Sequence, residues 1–149
     1  MGANREFRKL NLSDLELVVQ MENSFRSNFI VEENARDFLF NPNNWIFACI
    51  GENKIIGFAY GYELNRIDNQ GNMLYTHEVG VLPQYQNQGI GFQILTGIKN
   101  LCKVRGICRF FLITQKHNTP ACKLYEKSGG KKRSDLQDDD VTYFFNIVE

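Results

Sequence analysis

Clustered metal ligands are missing from this sequence: its 149 residues hold two histidines and four cysteines, Cys49, Cys102, Cys108 and Cys122, with no C-x-x-C pair. A structural zinc site needs four such ligands at short spacings, so no metal is expected, and the cysteines read as reduced thiols of the core. A surplus of one charge is missing too. Seventeen Lys and Arg balance seventeen Asp and Glu, which argues against nucleic acid as a partner, because phosphate binding rests on excess cation that displaces counterions. The longest apolar runs, such as Trp45 to Ile50, have six residues, against the roughly 20 that span a bilayer. No membrane partner is expected. The first residues lack an apolar signal region, and Glu6 stands where a myristoylation signal wants Ser or Thr. The expected compartment is the cytoplasm. No repeat, low-complexity tract or Pro/Gly/Ser linker divides the chain, which reads as one domain over residues 1–149. With 43% hydrophobic residues, a chain of this length buries roughly 70% of its unfolded surface, enough for a core without disulfides or metals.

Strand and helix signals alternate along the chain. Phe7 to Leu10 reads as a short strand, and Ser13 with Glu16 makes an S-x-x-E capping box that opens a helix carrying Leu15, Val18 and Val19. A second helix is expected from Glu32 to Phe40, stopped at Asn41-Pro42 because the residue before proline is pushed out of helical backbone. Trp45 to Ile50 and Lys54 to Glu63 read as an antiparallel hairpin about Gly51-Glu52-Asn53. Met73 to Val81 is the next strand. Ile94, Leu95, Ile98, Leu101 and Cys102 then share one helical face, ended by Gly106. Cys108 to Thr114 is almost continuously apolar, as expected of a strand covered on both faces, and the intervening helix makes it parallel to its predecessor. A helix from Thr119 to Ser128 and strands at Lys131 to Ser134 and Val141 to Val148 complete the pattern.

Gln86-Asn87-Gln88-Gly89-Ile90-Gly91 lies between a strand and the start of the long helix. Glycines let the main chain approach a ligand closely, and the free N–H groups at a helix start favour phosphate. It is neither a P-loop, which needs Gly-Lys-Ser/Thr, nor a dinucleotide loop, which needs a third glycine near Ile94. By itself G-x-G before a helix is as often a tight turn as a site.

Glu78-Val79-Gly80-Val81 precedes this loop, and Asn118-x-x-Ala121-x-x-Leu124-Tyr125-x-x-x-Gly129 follows the next strand. Together the three segments resemble the GCN5-related N-acetyltransferases (GNAT), whose loop is Q/R-x-x-G-x-G/A. The match is strong from Leu74 to Gly130, fair through the hairpin, and faint before residue 40. The acidic residue before Val-Gly-Val, the Pro120-Ala121 pair and the short C-terminus are most similar to aminoglycoside 3-N-acetyltransferases.

The resemblance implies an α/β fold: a mixed, mostly antiparallel sheet of six to seven strands with a splayed parallel pair, flanked by about four helices. It implies acetyl-CoA as cosubstrate and, as acceptor, a primary amine of a small cationic molecule, with aminoglycosides the leading example, and it allows a homodimer. The unpaired backbone of Val79 and Val81 would bond the pantetheine arm like an added strand, with a bulge at Gly80. Backbone from Gln88 through Gly89 and Ile90 to Gly91 would grip the pyrophosphate, with Gln86 as a neutral donor. Asn118 would contact the cofactor, although it also reads as a helix N-cap. Glu78 is the candidate general base, and Tyr125 the candidate acid, since a phenol stays protonated at neutral pH. Without the loop, Glu78 would read as a solvated strand residue and Tyr125 as packing. His77 points to the opposite face from Glu78 if the strand is regular, and a bulge would reverse this.

Two departures stand out. Gly130 occupies a place where the family commonly has an aromatic, which would loosen the following strand. Asn118 and Thr119 precede Pro-Ala where the aminoglycoside enzymes have acids. Asp138-Asp139-Asp140 and Lys131-Lys132-Arg133 read as a solvated turn and an exposed strand end. The alternatives to a small-amine acetyltransferase are a protein or peptide N-acetyltransferase and a non-catalytic acyl-CoA-binding module. The small-amine and the protein or peptide readings differ in the segments Phe25 to Glu33 and Leu64 to Gly71.

Overall fold

The computed structural model describes residues 4–21, 30–133 and 140–147. Seven strands, β1 (Glu6–Lys9), β2 (Asn44–Gly51), β3 (Lys54–Leu64), β4 (Met73–Val81), β5 (Arg109–Gln115), β6 (Lys131–Arg133) and β7 (Asp140–Asn146), form one sheet. The strand order is β1-β2-β3-β4-β5-β7-β6. Every neighbouring pair is antiparallel except β4 and β5. Four helices cover it: α1 (Leu15–Val19), α2 (Glu32–Phe40), α3 (Ile90–Arg105) and α4 (Thr119–Lys127). The expected mixed sheet with one parallel pair is therefore the observed architecture.

Strand β2 shows why the sheet is covered twice. Its odd residues Trp45, Phe47 and Cys49 join Ile94, Leu95 and Ile98 of α3 in one core, while Ile46 and Ala48 join Val18, Ala35 and Leu39 of α1 and α2 in another. The hairpin to β3 turns through Glu52 and Asn53, both at positive φ (55° and 64°), the backbone hand that matches strand twist in a two-residue turn. Helix α3 ends where Gly106 adopts φ 74°.

The first helix starts differently from expectation. The capping box is Asn11 with Asp14, not Ser13 with Glu16, and it opens the 3-10 turn Leu12–Asp14 that leads into α1: Asn11 Oδ1 accepts from the Ser13 N–H at 2.9 Å, and the Asn11 N–H donates to Asp14 at 2.9 Å. Arg8 of β1 decides the choice by donating two bonds of 2.8 Å to the Asp14 carboxylate, charge-assisted support that Glu16 lacks.

Among the described residues, helices cover strand β5 on one face only. Phe110 and Leu112 are buried beneath α3 and α4, whereas Phe111 is half-buried and Ile113 is exposed. The helices of the other face pack on β2 and β3, so the second apolar row of β5 is met by neighbouring rings, Tyr75 at 5.3 Å and Phe144 at 5.9 Å. Gly130 does not loosen β6 either. A side chain there would run into the Phe145 ring, 2.5 Å from the Cβ position, and Phe145 stacks on Phe110 at 4.2 Å. The space is filled from β7. Lys131 and Lys132 are exposed on the edge strand. Residues 134, 138, 139 and 148, which belong to the expected last strands and acidic turn, lie outside the described residues.

The bulge anticipated at Gly80 is at His77. Tyr60 opposes Glu78 and Gly61 opposes Thr76, which leaves His77 as the extra residue of β4. The crowding explains the location, because a Cβ on Gly61 would overlap the Tyr75 carbonyl oxygen and lie 2.8 Å from the Thr76 Cα. Gly61→Ala is expected to cost about 2 kcal/mol, the scale of overpacking a fitted site. For a domain this size that is a fall of roughly 4–8 °C in Tm by circular dichroism; an unchanged Tm would show that the bulge relaxes freely.

Candidate active site

Strands β4 and β5 pair from Met73↔Arg109 to Thr76↔Leu112 and no further. Beyond that point β4 stays on β3 and β5 stays on β7, so the two parallel strands part. A cavity of about 540 Å³ opens on the α3–α4 side of the split, bordered by Val79, Gly80 and Val81 of β4, the loop after it, and Asn118, Ala121 and Tyr125 of α4.

The loop is shaped by two left-handed residues, Asn87 at φ 62° and Gly89 at φ 80°. Gly89 is the N-cap of α3, and no side chain caps that end. The first-turn N–H groups of a 16-residue helix therefore open onto the cavity, an arrangement suited to an anionic group. Gly91, also on the cavity, lets α3 and α4 approach closely, since a Cβ there would be 3.0 Å from a methyl of Leu124 of α4. Cavity, unpaired strand edge and uncapped helix together fit the elongated, pyrophosphate-bearing acetyl-CoA.

The sequence-derived residues divide into two groups. Val79, Val81, Gln86, Gly89, Ile90, Gly91, Asn118 and Tyr125 all line this cavity. Gln86 donates its side-chain N–H to the Val81 carbonyl at 3.1 Å and so ties the loop to the strand end. Asn118 does both things expected of it, bordering the cavity and accepting from the Ala121 N–H at 3.3 Å as N-cap of α4. Gln88 is outside the lining, and its side chain accepts from Arg5 ahead of β1.

Tyr125 is 7% exposed and sits edge-on to Tyr143 at 5.4 Å. Burial, with Cys122 adding to it, pushes its phenol up to about 12. The Tyr143 hydroxyl donates to Glu126 at 3.1 Å. Burial raises the Tyr143 phenol as well, with Cys122 and Glu126 contributing.

Glu78 is on the other face. Residues directly opposite on antiparallel strands point the same way, so Glu78 shares the face of Tyr60. The bulge brings His77 to that face too, with its ring 5.3 Å from Tyr60 and its Nδ1 2.9 Å from the Tyr75 hydroxyl. Both His77 and Glu78 thus face away from the cavity, and Tyr125 faces into it across the split.

Sequence reasoning missed Phe92 and Lys127, which also border the cavity, with the Lys127 ammonium 5.1 Å over the Phe92 ring. Their signal was position alone, one residue past Gly91 and the last residue of α4.

Among solved structures, an aminoglycoside acetyltransferase from an uncultured soil metagenomic sample, in complex with sisomicin, superposes with TM-score 0.80 at 21% identity, covering 90% of this chain and 93% of that one. Arabidopsis thaliana NAA60 in complex with acetyl-CoA gives TM-score 0.70 at 19% identity, covering 95% and 98%. A GNAT-family acetyltransferase from Streptococcus pneumoniae gives 0.74 at 20%, covering 97% and 100%. No helix among the described residues is long and apolar enough to cross a membrane. The acetyltransferase (GNAT) family model matches residues 7–130, and with that match running through strands, loop and helices alike, the chain belongs to this family of acetyl-CoA-dependent N-acetyltransferases.

Proposed function

We propose that this enzyme acetylates a primary amine of a small cationic molecule, with Glu78 receiving the amine's proton and Tyr125 holding the proton that the leaving thiolate needs. The observation that carries the reading is the break in β4–β5 pairing after Thr76, which lets the two faces of the sheet communicate between these residues. Acetyl-CoA supplies the activated acetyl group. The chain's own part is to orient, to remove one proton and to return another.

Val79 and Val81 suit backbone pairing with an extended pantetheine arm. Gly89, Ile90 and Gly91 offer backbone donors for a pyrophosphate, Gln86 braces them through Val81, and Gln88 contributes from the same loop. Asn118 serves the cavity through the start of α4. Glu78 is preferred to His77 as base because a carboxylate also holds the ammonium by charge before the proton leaves, directly or through a water. A retained, buried Tyr125 on the cavity favours an enzyme over a non-catalytic acyl-CoA-binding module.

A thiol-release assay over polyamines, aminoglycosides, arylalkylamines and peptides tests the proposal. Aminoglycosides belong in the panel because a fold relative binds sisomicin, and peptides because they are the other acceptor class. Amine-dependent release of free CoA is expected, and acetyl-CoA binding with no release for any amine would overturn the reading. Glu78→Gln is expected to lower kcat by at least tenfold with acetyl-CoA affinity kept, within the usual range of about 10²- to 10⁴-fold for a general base or somewhat below it if water substitutes. His77→Ala is expected to cost less. The reverse order would move the proton-accepting role to His77.

A further inference from the structure

A second cavity, of about 370 Å³, lies on the opposite face of the sheet from the cofactor cleft, between β3 and helices α1 and α2. Met21, Ile30, Ala35, Phe38, Phe58 and Tyr60 make most of its wall. None of the described lining residues is charged, and Asn34 supplies its one amide side chain. Tyr60 connects this cavity to the proposed chemistry, since the same ring lies 5.3 Å from His77 and the same residue opposes Glu78 on β4.

We infer that this cavity is the acceptor pocket and that it takes a monoamine carried on an aromatic or similarly apolar, ring-sized body, with its single ammonium directed to Glu78. The inference rests on the proposed amine acetylation and names the class of amine. Phe38 stands edge-on to both Tyr60, at 5.8 Å, and Tyr62, at 5.7 Å, which makes a corner of rings. Ring faces carry the negative part of the aromatic quadrupole and ring edges the positive part, so such a corner accepts another ring by its edge or face. The faces also favour a nearby ammonium.

Size points the same way. Ligand pockets run from about 300 to 1,000 Å³, and this cavity, at about 370 Å³, is at the small end, with room for a ring and the short chain that carries its amine. A polyamine or aminoglycoside would bring several ammonium groups against a wall with no described carboxylate. Buried charge without a partner is strongly disfavoured. Glu78 answers one cation, and no described lining residue answers the others. On this inference the small cation expected from sequence carries its charge at the reacting nitrogen alone.

The test is kcat/KM at saturating acetyl-CoA for 2-phenylethylamine, spermidine, a gentamicin-type aminoglycoside and a peptide beginning with Phe. Wild type is expected to favour 2-phenylethylamine over each of the others by at least tenfold. Asn34→Asp puts a carboxylate on the wall from an exposed position in the first turn of α2, where an acid suits the helix start. It is expected to narrow the ratio of 2-phenylethylamine to spermidine at least fivefold. Phe38→Ala is expected to raise KM for 2-phenylethylamine about tenfold, with affinity for acetyl-CoA unchanged. A preference for spermidine, the aminoglycoside or the peptide would overturn the pocket assignment and leave amine acetylation standing. The pocket assignment fails equally if both variants leave the amine KM untouched. Absence of CoA release with every amine, while acetyl-CoA still binds by calorimetry, would instead remove the acetylation reading and this inference with it.

Discussion

Tyr125→Phe is expected to lower kcat by about 10²-fold, the low end of what a positioned acid contributes, with little change in affinity for acetyl-CoA. The substitution deletes one oxygen and keeps the ring, so the edge contact to Tyr143 at 5.4 Å survives and the fold is not the variable. What is lost is a hydroxyl that burial holds protonated, with its pKa pushed up to about 12. That shift has two measurable consequences. The wild-type phenol does not ionise across the neutral and mildly alkaline range, so the kcat profile should show no alkaline limb from Tyr125 until pH approaches about 12. The folded pKa is above the unfolded one, so the stability linked to this proton is intact below about pH 10 and drains away as pH rises towards 12. Tyr125→Phe should flatten that alkaline loss of stability. Turnover within threefold of wild type would reduce Tyr125 to a packing residue.

Gly89→Glu is expected to weaken acetyl-CoA binding at least 10²-fold by calorimetry, and Gly89→Ala by no more than about tenfold. The two share one cost, since any side chain at φ 80° is strained by about 1–2 kcal/mol. No atom lies within 4 Å of a Cβ built there, so the Cβ that both variants add meets no clash and does not separate them. Charge does. A carboxylate at the N-cap of α3 competes for the uncapped N–H groups that we assign to the pyrophosphate and repels the phosphates themselves. Added salt should recover part of the loss for Glu and none for Ala. Equal losses in both variants would mean that the loop's shape, and not its field, holds the cofactor.

The parts of this protein that could be read from sequence are those whose cause is local. The hairpin turn, the stop of α2 before Pro42 and the Q-x-x-G-x-G loop each depend on a few consecutive residues, and each appears where expected. The Asn11–Asp14 box was missed because its advantage over Ser13–Glu16 comes from Arg8 on a neighbouring strand. The second face of β5 was misjudged because hydrophobicity reports a wish to be covered, and the covering rings come from β4 and β7. The bulge at His77 leaves only one sequence trace, a glycine at position 61 on the partner strand. The second cavity was invisible for the same reason on a larger scale, since Val18, Phe38 and Tyr60 come from three separate segments.

The strand order bears on how the molecule is made. β7 lies between β5 and β6, so β6 has no sheet partner when it leaves the ribosome and must wait for the strand translated after it. Until then β5 is a raw edge, Phe110 lacks the Phe145 ring and Tyr125 lacks Tyr143. A nascent chain halted before residue 140 carries the complete phosphate loop on a half-closed sheet. Such an intermediate exposes an unpaired, aromatic-rich strand, the kind of surface that holdase chaperones capture and that aggregates when synthesis stalls.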